Sequence, residues 1–187
     1  MQEGFPLTNH RALHGKKAVI LTADEFEDME LFFPLFRLME EGVEVAVAAP
    51  TVGEIRGENG YGLEVGMRIA DVVPDDYDLL IIPGGSPNGA PTTVRNTPEA
   101  VAIARSFFAQ NKPVASICHG PYTLVSADLV RGRRLTSYWE DGVPKEIQDA
   151  GGEWVDESVV VDGNLVTSRW PMDLPFFMQE VIRLIGG

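Results

Sequence analysis

The stretch KPVASICHGP, residues 112–121, runs from an apolar segment straight into a cysteine, a histidine, a glycine and a proline. Residues 112–117 read as a buried strand, and a helix is predicted over 120–130. A strand that turns directly into a helix is the repeating unit of an α/β sheet. The same alternation extends outward in both directions. KAVILT (17–22), VEVAVAA (43–49) and DLLIIP (78–83) are further short apolar runs of strand type. Helices are predicted over 28–41, 97–111, 144–150 and 171–185. In the first of these, Pro34 is expected among the opening turns, and in the second Thr97 is expected as the N-cap. Residues 51–70 are rich in glycine and read as a hairpin or irregular strands. Residues 158–161 and 165–168 read as a hairpin across Asp162-Gly163-Asn164. Strands separated by helices imply a mainly parallel, doubly wound sheet with helices on both faces. Sites in such sheets form beyond the carboxyl ends of the strands.

Composition limits the function. The chain has 187 residues and a formal net charge of −13, which disfavours nucleic acid and anionic lipid as partners. No stretch approaches the roughly 20 apolar residues of a membrane span. One cysteine rules out an intramolecular disulfide and fits a reducing, cytoplasmic compartment. Residues 1–15 read as a polar N-terminal arm, leaving a single domain over 16–187. His10 and His14 lie in that arm, and too few further ligands accompany them for a metal site. No motif supports a metal, nucleotide, flavin or other cofactor; Gly60-Tyr61-Gly62 follows no strong strand and opens no helix.

Three segments leave strands at the carboxyl edge: 22–28, 84–91 and 118–121. Cys118 sits on the turn between strand and helix, where a side chain projects above the sheet as in a nucleophile elbow. The positive end of the following helix would favour its thiolate. A lone cysteine can equally be a buried apolar residue. His119 is a candidate base, although adjacent residues on a turn diverge. Gly85, in the pair Gly84-Gly85, lets a backbone N–H approach a substrate oxygen, and with the His119 N–H it would form an oxyanion hole; a plain turn is the alternative. Of Glu25, Glu27 and Asp28, Glu27 is selected as the carboxyl group beside the thiol, where burial would raise its pKa. Ordinary charge at a helix N-terminus is the alternative for these acids and suits Asp28 best.

The segments LTADEFEDMEL (21–31), IIPGG (81–85), KPVASICHGP (112–121), GRRLTSY (132–138) and GGEWVDESVVVDGNLVTSR (151–169) together identify the chain as resembling the PfpI family, in the superfamily of the parkinsonism-associated protein DJ-one. The resemblance covers nearly everything after about Lys16. It implies a flavodoxin-like three-layer sandwich, a homodimer or higher homo-oligomer, cytoplasmic residence and a stress-related role. By the same resemblance Cys118 matches the nucleophile, His119 the histidine after it, Glu27 the acid bonded to the cysteine, and Gly85 and His119 the backbone donors. Peptidase-like members complete a Cys-His-Glu arrangement with a glutamate that reaches a neighbouring subunit, and its matching position here is Thr92. Glu140 and Asp141 are the acids that would substitute, but nothing in the sequence places them near His119. The expected activity is therefore that of a glutathione-independent glyoxalase or protein deglycase acting on small reactive carbonyls or glycated proteins. A redox-sensing or chaperone-like stress protein is the second reading, and an intracellular cysteine peptidase the third.

Overall fold

The computed structural model describes residues 13–187. The expected arm falls mostly outside them, as does His10. In chain order the elements are β1 (Lys17–Leu21), α1 (Asp28–Glu40), β2 (Glu44–Ala49), β3 (Gly53–Arg56), β4 (Gly62–Val65), β5 (Met67–Arg68), β6 (Leu79–Ile82), α2 (Ala90–Arg95) and α3 (Pro98–Ala109). There follow β7 (Val114–Ile117), α4 (Pro121–Ser126), β8 (Arg134–Leu135), α5 (Val143–Asp149), β9 (Glu153–Trp154), β10 (Val159–Asp162), β11 (Leu165–Ser168) and α6 (Leu174–Gly186).

The main sheet has the order β10-β11-β7-β6-β1-β2-β5. Every neighbouring pair is parallel except β10 with β11, the predicted hairpin at one edge. Parallel strands covered on both faces must be apolar throughout, and β6, β7 and β11 are buried at every residue. The chain steps from β1 to β2 in one direction and from β6 to β7 in the other. Right-handed crossovers then put α1 and α3 on opposite faces. α6 packs with α1, while α2 and α4 gather around α3, with α5 against α4. The result is the expected flavodoxin-like three-layer sandwich. Its order reverses between β1 and β6, and a crevice opens at such a point.

Several elements differ from the sequence reading. Pro34 lies inside α1, buried, at the seventh helical residue rather than in the opening turns. Its missing N–H leaves the Glu30 carbonyl without the usual partner four residues on. α2 occupies what reads as open chain after Gly85; Pro91 in its first turn is the start signal that was available. Thr97 holds the N-cap position of α3, but its hydroxyl donates to the Thr93 carbonyl (2.8 Å) instead of capping. α4 is short, and the terminal helix opens as a 3-10 turn over Pro171–Asp173. The β3–β4 hairpin stands apart from the main sheet, and β8 pairs β9 in a separate parallel ladder.

Phe107 of α3 is fully buried in the core beneath this face. Phe107→Ala is expected to cost about 3–5 kcal/mol, the usual range for deleting a buried aromatic side chain. Urea denaturation followed by far-UV circular dichroism measures it, and the expected outcome is a lower midpoint with an unchanged slope.

Candidate active site

β7 ends at Ile117, and Cys118 has φ +61°, a left-handed conformation rare for a non-glycine residue. The strain is held on both sides: the Cys118 N–H donates to the Ser168 carbonyl (3.1 Å), and the Cys118 carbonyl accepts from the Tyr138 N–H (3.0 Å). The residue is only 6% exposed. α4 does not begin until Pro121, so its first turn is not the main influence on the sulfur. The backbone N–H of His119 hydrogen-bonds the sulfur and favours its thiolate.

The acid at the sulfur is Glu30, and this corrects the choice of Glu27. Glu27 is the N-cap of α1, and its Oε2 accepts the Glu30 N–H at 2.8 Å. Glu30 lies one turn into the helix, fully buried, and interacts with the Cys118 thiol. Its Oε2 accepts the Gly84 N–H at 2.7 Å, while Oε1 makes no hydrogen bond among the described residues. Burial pushes the Glu30 pKa well above the usual carboxylate range, and the neighbouring Glu27 adds to the rise. Burial likewise pushes the Cys118 thiol up, and an ionised Glu30 would push it further. A protonated Glu30 removes that repulsion and offers the sulfur an O–H donor. Thiolate formation is thus tied to Glu30 keeping its proton.

His119 does reach the thiol: Nδ1 lies 3.2 Å from Sγ. Its Nε2 lies 3.1 Å from Oδ2 of Asp141. The ring packs between Tyr138 and Tyr122, with centroids 5.0 and 6.0 Å away. Burial lowers its pKa, and Asp141 and the Gly85 carbonyl oppose that shift without overcoming it. A neutral imidazole at neutral pH is the form that can accept a proton. Thr92 stays away from this group; its hydroxyl donates to the Pro87 carbonyl at 2.6 Å.

Gly84 and Gly85 carry the backbone across the mouth of the site. A Cβ on Gly84 would lie 2.6 Å from Cys118 Cβ and 2.9 Å from the His119 nitrogen. Gly85 has φ +146°, and a Cβ there would meet the Glu25 carbonyl at 2.3 Å. The Gly84 N–H is taken by Glu30 and is not free to serve an oxyanion. Nearby, Asp28 latches the β3–β4 hairpin: its carboxylate accepts from the Asn59 N–H (2.8 Å), the Asn59 side chain (3.2 Å) and the Tyr61 N–H (3.0 Å). Among the described residues no cluster of three or more potential metal ligands occurs.

The raised Glu30 gives a pH signature. A group whose folded pKa exceeds its unfolded value adds stability below the unfolded value, about 4.3, and loses it as pH rises through the folded value. Glu30→Gln cannot ionise. Compared with this variant, the wild type is expected to lose relative stability as pH rises from about 4.3, read from melting temperatures across pH. Glu30→Ala leaves the Gly84 N–H unpaired and is expected to cost about 1–3 kcal/mol at low pH, the difference from wild type shrinking as pH rises. Parallel melting curves for wild type and Glu30→Gln would contradict the assignment.

A family model described as the DJ-1/PfpI family matches residues 16–184. A Pyrococcus horikoshii protein named as a deglycase is 49% identical over 169 residues, covering 90% of this chain and 99% of its own. The protein named protein/nucleic acid deglycase 2 of Escherichia coli K12 is 39% identical over 175 residues, covering 92% and 99%. Among solved structures, a two-domain Anabaena variabilis protein with DJ-1/ThiJ/PfpI-like and ferritin-like domains superposes with a TM-score of 0.86 at 34% identity. The match covers 91% of this chain and 48% of that one, about half its length. Drosophila melanogaster DJ-1beta gives a TM-score of 0.81 at 26% identity, covering 92% of this chain and 91% of its own. The chain belongs to the DJ-1/PfpI family.

Proposed function

We propose that this protein is a cytoplasmic stress-response enzyme that consumes small reactive carbonyls, or removes their adducts from proteins, through Cys118. The observation that carries the reading is the 3.2 Å approach of Cys118 Sγ to His119 Nδ1 beside the buried Glu30 carboxyl. The deglycase names of relatives at 39–49% identity support the substrate class.

The chemistry follows from the groups present. His119 Nδ1 takes the thiol proton as Sγ bonds to the aldehyde carbon of methylglyoxal. The carbonyl π electrons move to oxygen, which the Gly85 and His119 N–H groups hold. Return of the proton to that oxygen gives a hemithioacetal. Glu30, protonated at rest, exchanges protons with the adduct while hydrogen shifts from the first carbon to the second. This produces a lactyl thioester. Water then cleaves it, releasing lactate and the thiol, so methylglyoxal and water become lactate with no external oxidant or reductant.

Peptide hydrolysis is the second reading, because the 3.1 Å contact of His119 with Asp141 supplies a carboxylate that Thr92 does not. The small exposure of Cys118 weighs against a polypeptide substrate and for a small one. The expected homo-oligomer has a suitable surface. Met29, Phe33 and Phe36 of α1 face Met172 and Pro175 across an exposed apolar groove of about 810 Å³.

Wild type and Cys118→Ser should be offered methylglyoxal and, separately, denatured casein. Lactate from wild type alone is expected. Peptides from wild type without lactate would reverse the order of the two readings. No turnover of either, with a mass gain on Cys118 after mild peroxide, would favour an oxidative sensor.

A further inference from the structure

Asp141 lies on the short connection between Tyr138 and α5, with φ +55°, and Gly142 after it has φ +82°. Two successive left-handed residues, the first not glycine, persist only where the surroundings hold them. Here the hold is specific. Tyr122 of α4 donates its hydroxyl to the Asp141 carbonyl oxygen at 2.5 Å. The Arg95 guanidinium of α2 sits 4.5 Å above the Tyr122 ring. Arg95 is itself anchored by two contacts to Glu146, 2.7 and 3.2 Å, and one to Ser126, 3.2 Å. The main chain of Asp141 is thus clamped from α2 and α4, leaving its carboxylate directed at His119 Nε2. The two partners differ in exposure: the His119 side chain is 6% exposed, that of Asp141 47%.

We propose that Asp141 is a positioning residue for Cys118 chemistry, supplied by the same chain. Its carboxylate holds hydrogen on His119 Nε2, which leaves the Nδ1 lone pair facing the sulfur, and it balances the imidazolium formed when Nδ1 takes the thiol proton. Cys118, His119 and Asp141 are then complete without a residue from a second copy. The inference rests on the proposed use of Cys118 as a nucleophile.

The test uses Asp141→Asn and Asp141→Glu beside wild type, Cys118→Ser and Tyr122→Phe. Because the Tyr122 hydroxyl bonds the main chain of Asp141, replacing the carboxylate leaves the clamp in place, and the Asp141 variants should melt like the wild type. Two readouts are needed: methylglyoxal turnover against pH, and the alkylation rate of Cys118 by iodoacetamide against pH. The titratable groups facing His119 are Cys118, Asp141, Tyr122 and Tyr138, with Glu30 beyond the sulfur and Glu140 beside Tyr138. Asp141 raises the His119 pKa, so its loss should move the imidazole limb of both profiles to lower pH. For Asp141→Asn, kcat is expected to fall about 10²–10⁴-fold with KM little changed. Asp141→Glu should recover part of it. Tyr122→Phe, which frees the main chain but keeps the carboxylate, should fall between. Wild-type kcat with an unshifted limb in Asp141→Asn would reduce the contact to an ion pair and overturn the proposal. If the wild type turns over no methylglyoxal, the proposed activity fails, yet the alkylation profile still decides the role of Asp141.

Discussion

The bond from the Gly84 N–H to Glu30 Oε2, 2.7 Å long and wholly buried, ties the first turns of α1 to the end of β6. These elements flank the point where the strand order reverses, the place where sites form in such sheets. Gly84 can serve only because it lacks a side chain; any Cβ would occupy the space of Cys118 Cβ and the His119 nitrogen. The nucleophile turn, the acid and the backbone donors are therefore packed as one unit.

Burying a thiol makes the thiolate harder to form, which at first sight opposes nucleophilic chemistry. The site compensates by proximity. A histidine ring touches the sulfur on one side, and a carboxyl whose protonated form burial favours lies on another. The reactive form then arises when the substrate arrives and the proton has somewhere to go. This arrangement suits small molecules that can enter a narrow crevice and be shielded from water there.

Much of this was legible beforehand. The apolar runs at β1, β6 and β7 and the helices between them dictated a parallel sheet, and the position of Cys118 at a strand–helix junction followed from local sequence. The acid was misassigned by one turn for a reason that capping rules explain. With the helix starting at Asp28, Glu27 falls at the N-cap, where its carboxylate is consumed by the N–H three residues on, the N–H of Glu30. The side chain of that third residue is the one carried inward. Asp141 is a different case: the sequence offers it, with Glu140, as a substitute acid but does not place it. Its nearness to His119 depends on a clamp from α2 and α4 and on two left-handed residues in a row, contacts far apart in sequence that no local pattern encodes. His119 reaching the sulfur beside it depends likewise on the strained φ of Cys118, which aims the two side chains toward each other instead of apart.

The latch at Asp28 bears on how this sequence can drift. Two of its three bonds come from main-chain N–H groups, those of Asn59 and Tyr61, which nearly any residue would supply. The tip of the hairpin can therefore accumulate substitutions at 58, 59 and 61 without loosening its hold on the start of α1, where the buried acid is carried. Two glycines have no such freedom: a Cβ on Gly57 would lie 2.4 Å from the Asp28 carboxylate atoms, and Gly60 has φ +94°. Divergent descendants of this chain should vary at the hairpin tip while keeping those two glycines, and so alter the rim of the site while its floor stays fixed.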